Sequence, residues 1–243
     1  PGMHEVVLTV TNDTQSSTAT GQVTVIVGPV KNVRMGHTYL SIQAAINNSN
    51  TVDGDTILVD SGTYRENVVV SKAIRLAGND TGSGRPVVDG LKKSRAILIQ
   101  SDNVTISELC ATNATTGIYS SANYTILENN VAYNNNNGID LYYACHGIVT
   151  GNTVHNNSMY GIYMYNTLND TLASNIVENN NKIKFSCGIY PRYSSNNTFE
   201  NNLVQNNRYA GIHLTSGSNN NSVKGNTVTF NDNGVWSQQS NNN

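Results

Sequence analysis

Six segments, beginning at Gly117, Gly138, Gly161, Gly188, Gly211 and Gly234, open alike with Gly-Ile or Gly-Val. Their third residues are Tyr119, Asp140, Tyr163, Tyr190, His213 and Trp236, and their fifth residues include Tyr142, Tyr165 and Arg192. In a β-strand, residues two apart share a face. The apolar second and fourth positions mark the inner face, so the aromatics, carboxylate, imidazole and guanidinium are expected to share the outer one. Aromatic rings stack on the C–H faces of sugars, while Asp and Arg bond to hydroxyls. At ~4.8 Å per strand the stripe from Tyr119 to Trp236 would run roughly 24 Å, an oligosaccharide's length. The plainer reading is a ladder that only stabilises its sheet, at up to ~1 kcal/mol per stacked pair.

The same residues offer little for catalysis. Glycoside hydrolysis needs two carboxyls about 5–10 Å apart, and the outward columns hold Asp140 alone. Glu128 and Glu200 share another column but stand three repeats apart, about 14 Å at the strand spacing. Asp140, Arg192 and His213 are the residue types of an eliminating lyase, but two to three repeats separate them. Cys145, His146, His155, Met159 and Met164 are soft metal-ligand types close in sequence. Met164 reads as a core residue and His155 as a turn residue, so no metal and no other cofactor is expected. Cys110, Cys145 and Cys187 lack metal-type spacing and read as small buried residues.

What positions the stripe is the repeat itself. The openings are 21, 23, 27, 23 and 23 residues apart. Leu127, Val149, Leu172, Phe199 and Val223 align as one apolar column, and Val154, Val177, Val204 and Val228 as another. Two asparagine columns accompany them: Asn130, Asn152, Asn175, Asn202 and Asn226, then Asn135, Asn157, Asn180, Asn207 and Asn231. A period near 23 with three apolar bursts predicts three strands and three turns per coil, stacked as a right-handed, single-stranded parallel β-helix. The columns explain why roughly one residue in six is Asn, far above ordinary usage. Asn tolerates the left-handed backbone of sharp corners, and stacked side-chain amides bond from coil to coil. The glycine column implies corners without room for a Cβ.

Upstream, "YLSIQAAINN" carries Ile42, Ala45 and Ile46 at helical spacing with Ser41 as N-cap, a short helix suited to covering the open end of the solenoid. Residues 1–28 read as two strands, with Val6, Leu8 and Val10 on one face and Val23, Val25 and Val27 on the other strand's matching face. The expected organisation is therefore a partial sandwich domain over 1–28, a linker over 29–38, and a β-helix over 39–243 continuing past the last residue.

The run "SIQAAINNSNTVDGDTILVDSGTYRENVVVSKAIRLAGND", followed by "GI-x-L…NNT…N-x-V-x-NN" repeats, resembles the NosD-like family of right-handed β-helices, also called carbohydrate-binding and sugar-hydrolase repeats. The pattern "PG-x-[HY]-x-V-x-L-x-V" with "TA-x-x-x-V-x-V" is similar to the last two strands of a PKD domain. Together they resemble large surface or S-layer-associated proteins of archaea such as methanogens. That resemblance implies an extracellular surface module that structures the envelope or binds polysaccharide, with a cell-envelope glycan and neighbouring domains of the same chain as partners. It leaves two alternatives: a polysaccharide-modifying enzyme (lyase, hydrolase or epimerase) and a NosD-like periplasmic copper-maturation module. "CHG" at 145–147 is similar to the G-H-G of polygalacturonases, but that family's Asp pair is missing.

Charge and hydropathy exclude other classes. Only 12% of the 243 residues are charged and the net charge is −2 with no basic block, so no nucleic-acid partner is expected. No apolar run approaches the ~18 residues of a membrane span. N-x-[ST] acceptors recur at Asn12, Asn47, Asn79, Asn103, Asn113, Asn123, Asn156, Asn169, Asn196 and Asn220, and some are expected at exposed corners.

Overall fold

In a computed structural model describing residues 2–11, 16–25, 27–180 and 182–243, the repeats form a three-sided parallel β-solenoid. Each side is one continuous sheet, two of eight strands and one of ten. The sheet carrying the Gly-Ile openings has strands Thr116–Ser120, Asn137–Tyr142, Tyr160–Tyr165, Cys187–Arg192, Ala210–Thr215 and Asn233–Gln238 at its C-terminal end. Ile118, Ile139, Ile162, Ile189, Ile212 and Val235 stand in register along it. The first five are fully buried, as are Leu127, Leu172, Phe199, Val154, Val177 and Val204 from the other two sides. The core is thus a stack of apolar layers, one per coil, as the columns predict.

The corners are held by asparagine. Asn130, Asn152, Asn175 and Asn202 each donate the backbone N–H to the Oδ1 of the next Asn in the column, at 2.9–3.0 Å. Their Nδ2 groups donate back to a main-chain carbonyl of the preceding coil. Asn135, Asn157, Asn180 and Asn207 repeat the pattern at a second corner. These amides are buried, and a buried amide without partners costs about 1–3 kcal/mol, so each rung depends on its neighbour in the next coil. The glycines face the second ladder: a Cβ on Gly161 would lie 2.3 Å from Val177 Cγ1, 2.5 Å from the Gly188 carbonyl oxygen and 2.9 Å from Asn180 Nδ2.

The helix α1 (Ile42–Asn47) buries Ile42, Ala45 and Ile46 against the first coils, with Ser41 Oγ accepting from the Ala44 N–H. Glu66 adds a second cap, its carboxylate accepting from the Ile42 and Gln43 N–H groups. Within the segment read as a linker, Val30–Asn32 forms a strand. It pairs antiparallel with Thr56–Asp60 and with Thr38–Tyr39, extending the ten-stranded sheet. Burial of Val30 and Asn32, the latter bonded to Thr51 and Asp55, ties this strand to the cap. Residues before it form an antiparallel pair, β1 (Gly2–Thr11) and β2 (Ser16–Val25), in register from Gly2 opposite Val25 to Thr11 opposite Ser16. The faces expected for Val6, Leu8 and Val10 and for Val23 and Val25, and the turn at 12–15, lie outside the described residues. No described helix is long and apolar enough to cross a membrane.

Candidate functional site

Register places Tyr119, Asp140, Tyr163 and Tyr190 on successive strands, and His213 beside Trp236. Their rings meet. Tyr163 and Tyr190 stack at 5.6 Å, Tyr190 and His213 at 5.2 Å, and His213 and Trp236 at 4.6 Å with 5° between planes. A second file runs beside it, with Tyr119 6.2 Å from Tyr142 and Tyr142 4.9 Å from Tyr165. Arg192 follows Tyr165 in register, and its guanidinium lies over the Tyr193 ring at 5.1 Å. All nine expected residues therefore belong to one face.

The face departs from a simple solvent-exposed stripe in two ways. First, Asp140 and His213 are buried, at 7% and 5% exposure, because larger neighbours in the column overlie them. Asp140 Oδ2 accepts from Thr116 Oγ1 at 2.8 Å and Asn137 Nδ2 at 3.2 Å, while Oδ1 has no partner. Desolvation outweighs these bonds and the nearby Arg95 charge, pushing the carboxyl up to about 6. Burial lowers the His213 imidazole below its ordinary value, partly offset by Gln238 on the next strand. The Cys187 thiol, 4.0 Å from His213 Nδ1, is pushed up to about 12 by burial, so the pair is no thiolate–imidazolium nucleophile.

Second, near-parallel stacking commits many ring faces to one another. Tyr163, Tyr165 and Tyr190 are half-buried. Two tyrosines turn differently. Tyr143 meets Tyr165 at 64° and Tyr142 at 69°, and Tyr193 meets Tyr165 at 81°. They are 53% and 44% exposed. Both have left-handed backbones, φ 56° and 53°, at the corner where Asn166 and Ser216 stand in other coils. That conformation suits Asn or Gly and is costly for bulky residues. Corner position predicts Asn here, which is why strand periodicity missed them. It missed Tyr160, Tyr209 and Phe185 too, because they precede the Gly-Ile openings. Tyr160 packs on Tyr163 at 5.3 Å and Tyr190 at 4.8 Å, and Tyr209 on Trp236 at 5.4 Å.

Toward the N-terminal end the column continues through Leu98 and Val69 into a cleft of about 320 Å³, edged by Asn67, Lys93 and Arg95. Arg95 Cζ lies 3.9 Å from the Tyr119 ring centroid, a cation–π contact. Among the described residues neither Arg95 nor Arg192 has a carboxylate ion-pair partner.

The other candidates lie apart. Glu128 pairs with Arg75 at 3.0 Å and Glu200 with Lys224 at 3.0 Å, so neither is a free acid or base beside a groove. Met164 is in the core, His146 stacks on Tyr124, and His155 stacks on Tyr133 on another sheet. No three described His, Cys, Asp or Glu side chains converge to hold a metal ion.

A cell surface glycoprotein of Methanothermus fervidus is 33% identical over 91 residues, which are 37% of this chain and 15% of that protein. The chain thus spans a small part of this relative's length. Among solved structures, the Dettilon tailspike protein gp208 matches with a TM-score of 0.56 at 19% identity, covering 74% of this chain and 40% of that one. Pectate lyase Pel9A matches at 0.54 and 14% identity, covering 88% and 76%. At such identities the likeness shows the fold alone. Residues 95–243 match the family model described as a right handed beta helix region, so the chain belongs to the right-handed β-helix family.

Proposed function

We propose that this chain is an extracellular β-helix module of a cell-surface protein and that its aromatic face binds polysaccharide of the cell envelope. Tyr119, Tyr142, Tyr163, Tyr165, Tyr190, Trp236 and Arg192 form the face. Asp140 and His213 act from beneath it, by setting its shape. Tyr143 and Tyr193, the latter with Arg192 over one side of its ring, supply exposed rings for sugar stacking, and the tyrosine hydroxyls and the guanidinium supply hydrogen bonds. The observation that carries this reading is the placement of these two exposed tyrosines in a backbone conformation that asparagine would fill at lower cost. The relative named as a cell surface glycoprotein supports the location. In this reading the N-terminal strand pair belongs to an adjoining PKD-like domain, and the solenoid also stiffens the envelope.

The test is a glycan array probed with the parent protein and with Tyr143→Asn/Tyr193→Asn. Binding to a defined set of polysaccharides, lost in the double variant with its far-ultraviolet circular dichroism unchanged, is the expected result. Equal binding by both proteins, or none by the parent, removes the reading. A product assay on every glycan retained separates holding a polysaccharide from cutting or epimerising it.

A further inference from the structure

The corner that joins the aromatic sheet to the ten-stranded sheet repeats one left-handed position in six successive coils: Asn103, Tyr124, His146, Asn169, Asn196 and Asn220, with φ between 55° and 60°. Wherever this residue is Asn, the residue two further on carries a hydroxyl: Thr105, Thr171, Thr198 and Ser222. Where it is Tyr124 or His146, that next position is Ile126 or Ile148, in register with the hydroxyl residues. The fold therefore accepts an apolar side chain there. Moreover, none of the four hydroxyls makes a hydrogen bond among the described residues.

The asparagines themselves divide into two kinds. Ladder amides are buried and use Nδ2 as a donor. Asn103, Asn169, Asn196 and Asn220 are exposed, and Nδ2 of each donates to no described group; only the Oδ1 of Asn220 is engaged, by Asn242. Three acceptor motifs elsewhere differ on this point. Nδ2 donates to Asp60 from Asn79 and to Asp89 from Asn113, and Nδ2 of Asn156 bonds to His155 Nδ1.

We infer that Asn103, Asn169, Asn196 and Asn220 are N-glycosylation sites forming a ridge along one edge of the solenoid. The donor is a lipid-phosphate-linked oligosaccharide presented by an Asn-x-Ser/Thr transferase. The anomeric C–O bond to the lipid phosphate breaks as the C–N bond to Nδ2 forms; Nδ2 loses a proton to the transferase's base, and the lipid phosphate leaves with the bonding pair. Asn169, Asn196 and Asn220 lie in turns that directly follow aromatic strands, on adjacent coils about 4.8 Å apart. The sugars would border the aromatic face along one margin and leave its centre open.

The experiment is secretion of the full chain from a host with an Asn-x-Ser/Thr transferase, followed by mass spectrometry of intact glycopeptides. Glycan is expected on at least two of the four ridge asparagines, and on none of Asn79, Asn113 and Asn156. Thr198→Val should remove glycan from Asn196 alone and leave the melting temperature within about 2 °C of the parent, since Ile already occupies that register position in two coils. Fewer than two ridge sites occupied, or heavier occupancy at Asn79, Asn113 and Asn156, overturns the assignment.

Discussion

Asn152 hands both its backbone N–H and its Nδ2 to a single atom, Oδ1 of Asn175, at 3.0 Å each. Asn175 in turn donates Nδ2 to the Val149 carbonyl and to Asn202 Oδ1. Replacing Asn175 by Ala leaves the Asn152 N–H and Nδ2 without this acceptor and the Val149 carbonyl without this donor, all inside the protein. The expected loss is about 3 kcal/mol, read as a lowered midpoint in urea unfolding.

Gly161→Ala should be at least as damaging. The new methyl meets a backbone carbonyl and a ladder amide, neither of which can rotate away. Overpacking of this kind costs about 3 kcal/mol. Gly234→Ala, where a Cβ would meet nothing within 4 Å, is the matched control and should be near neutral.

A third corner ladder contains a misfit. Asn197 and Asn221 pass the backbone N–H to Asn221 and Asn243 Oδ1, but Asp170 stands where the file calls for Asn. Asp170 Oδ2 and Asn197 Nδ2 are both buried without partners. Asp170→Asn should therefore raise the melting temperature at pH 7.5 and leave the coil intact.

Acid titration gives the sign independently. Burial raises Asp140 and Asp170 to about 6, above the unfolded value near 3.9. Between these values the folded chain holds more protons, so both groups favour folding below about pH 4 and lose that contribution as pH rises through 6. Asp55 runs the other way. Its bond to Arg34 holds it well below the usual carboxylate range, so its contribution is present above about pH 4 and lost in stronger acid. Stability should peak near pH 4, and Asp140→Asn/Asp170→Asn should flatten the descent from pH 4 to 7.

Tyr143→Asn removes two edge-to-face contacts and Tyr193→Asn one, each worth about 1 kcal/mol, and each relieves a left-handed tyrosine at about 1–2 kcal/mol. Each variant should unfold within about 1 kcal/mol of the parent in urea. A much larger loss would mean that the tyrosines are there for packing.

The coil, its layers and its ladders were legible because each is a column. A residue type recurring every 23 or so positions reports one environment, and Leu127, Asn152 and Gly161 stand where their columns predict. The capping helix was legible through Ser41 and the spacing of Ile42, Ala45 and Ile46. The candidate face was read only in part, since alternation gives the direction of a side chain and not its cover. Asp140 and His213 point outward and are still buried, because short side chains between large ones are roofed over. Tyr143 and Tyr193 break the column they belong to, and no periodic reading recovers them. Val30–Asn32 is too short to signal a strand alone; its pairing comes from Thr56–Asp60, some 25 residues away.

The asparagine files also have a direction. Every rung presents Oδ1 toward the N-terminal side of the stack and its backbone N–H toward the C-terminal side, from Leu109, whose N–H meets Asn130 Oδ1, to Asn202, whose N–H meets Asn226 Oδ1. The backbone N–H···Oδ1 bonds therefore all run one way along the stack, while one hydrogen of each Nδ2 returns to the coil before. Such a file can be lengthened by a coil only beyond Asn226, because its first rung, Asn130, is already met by the Leu109 N–H and α1 covers the N-terminal side of the stack.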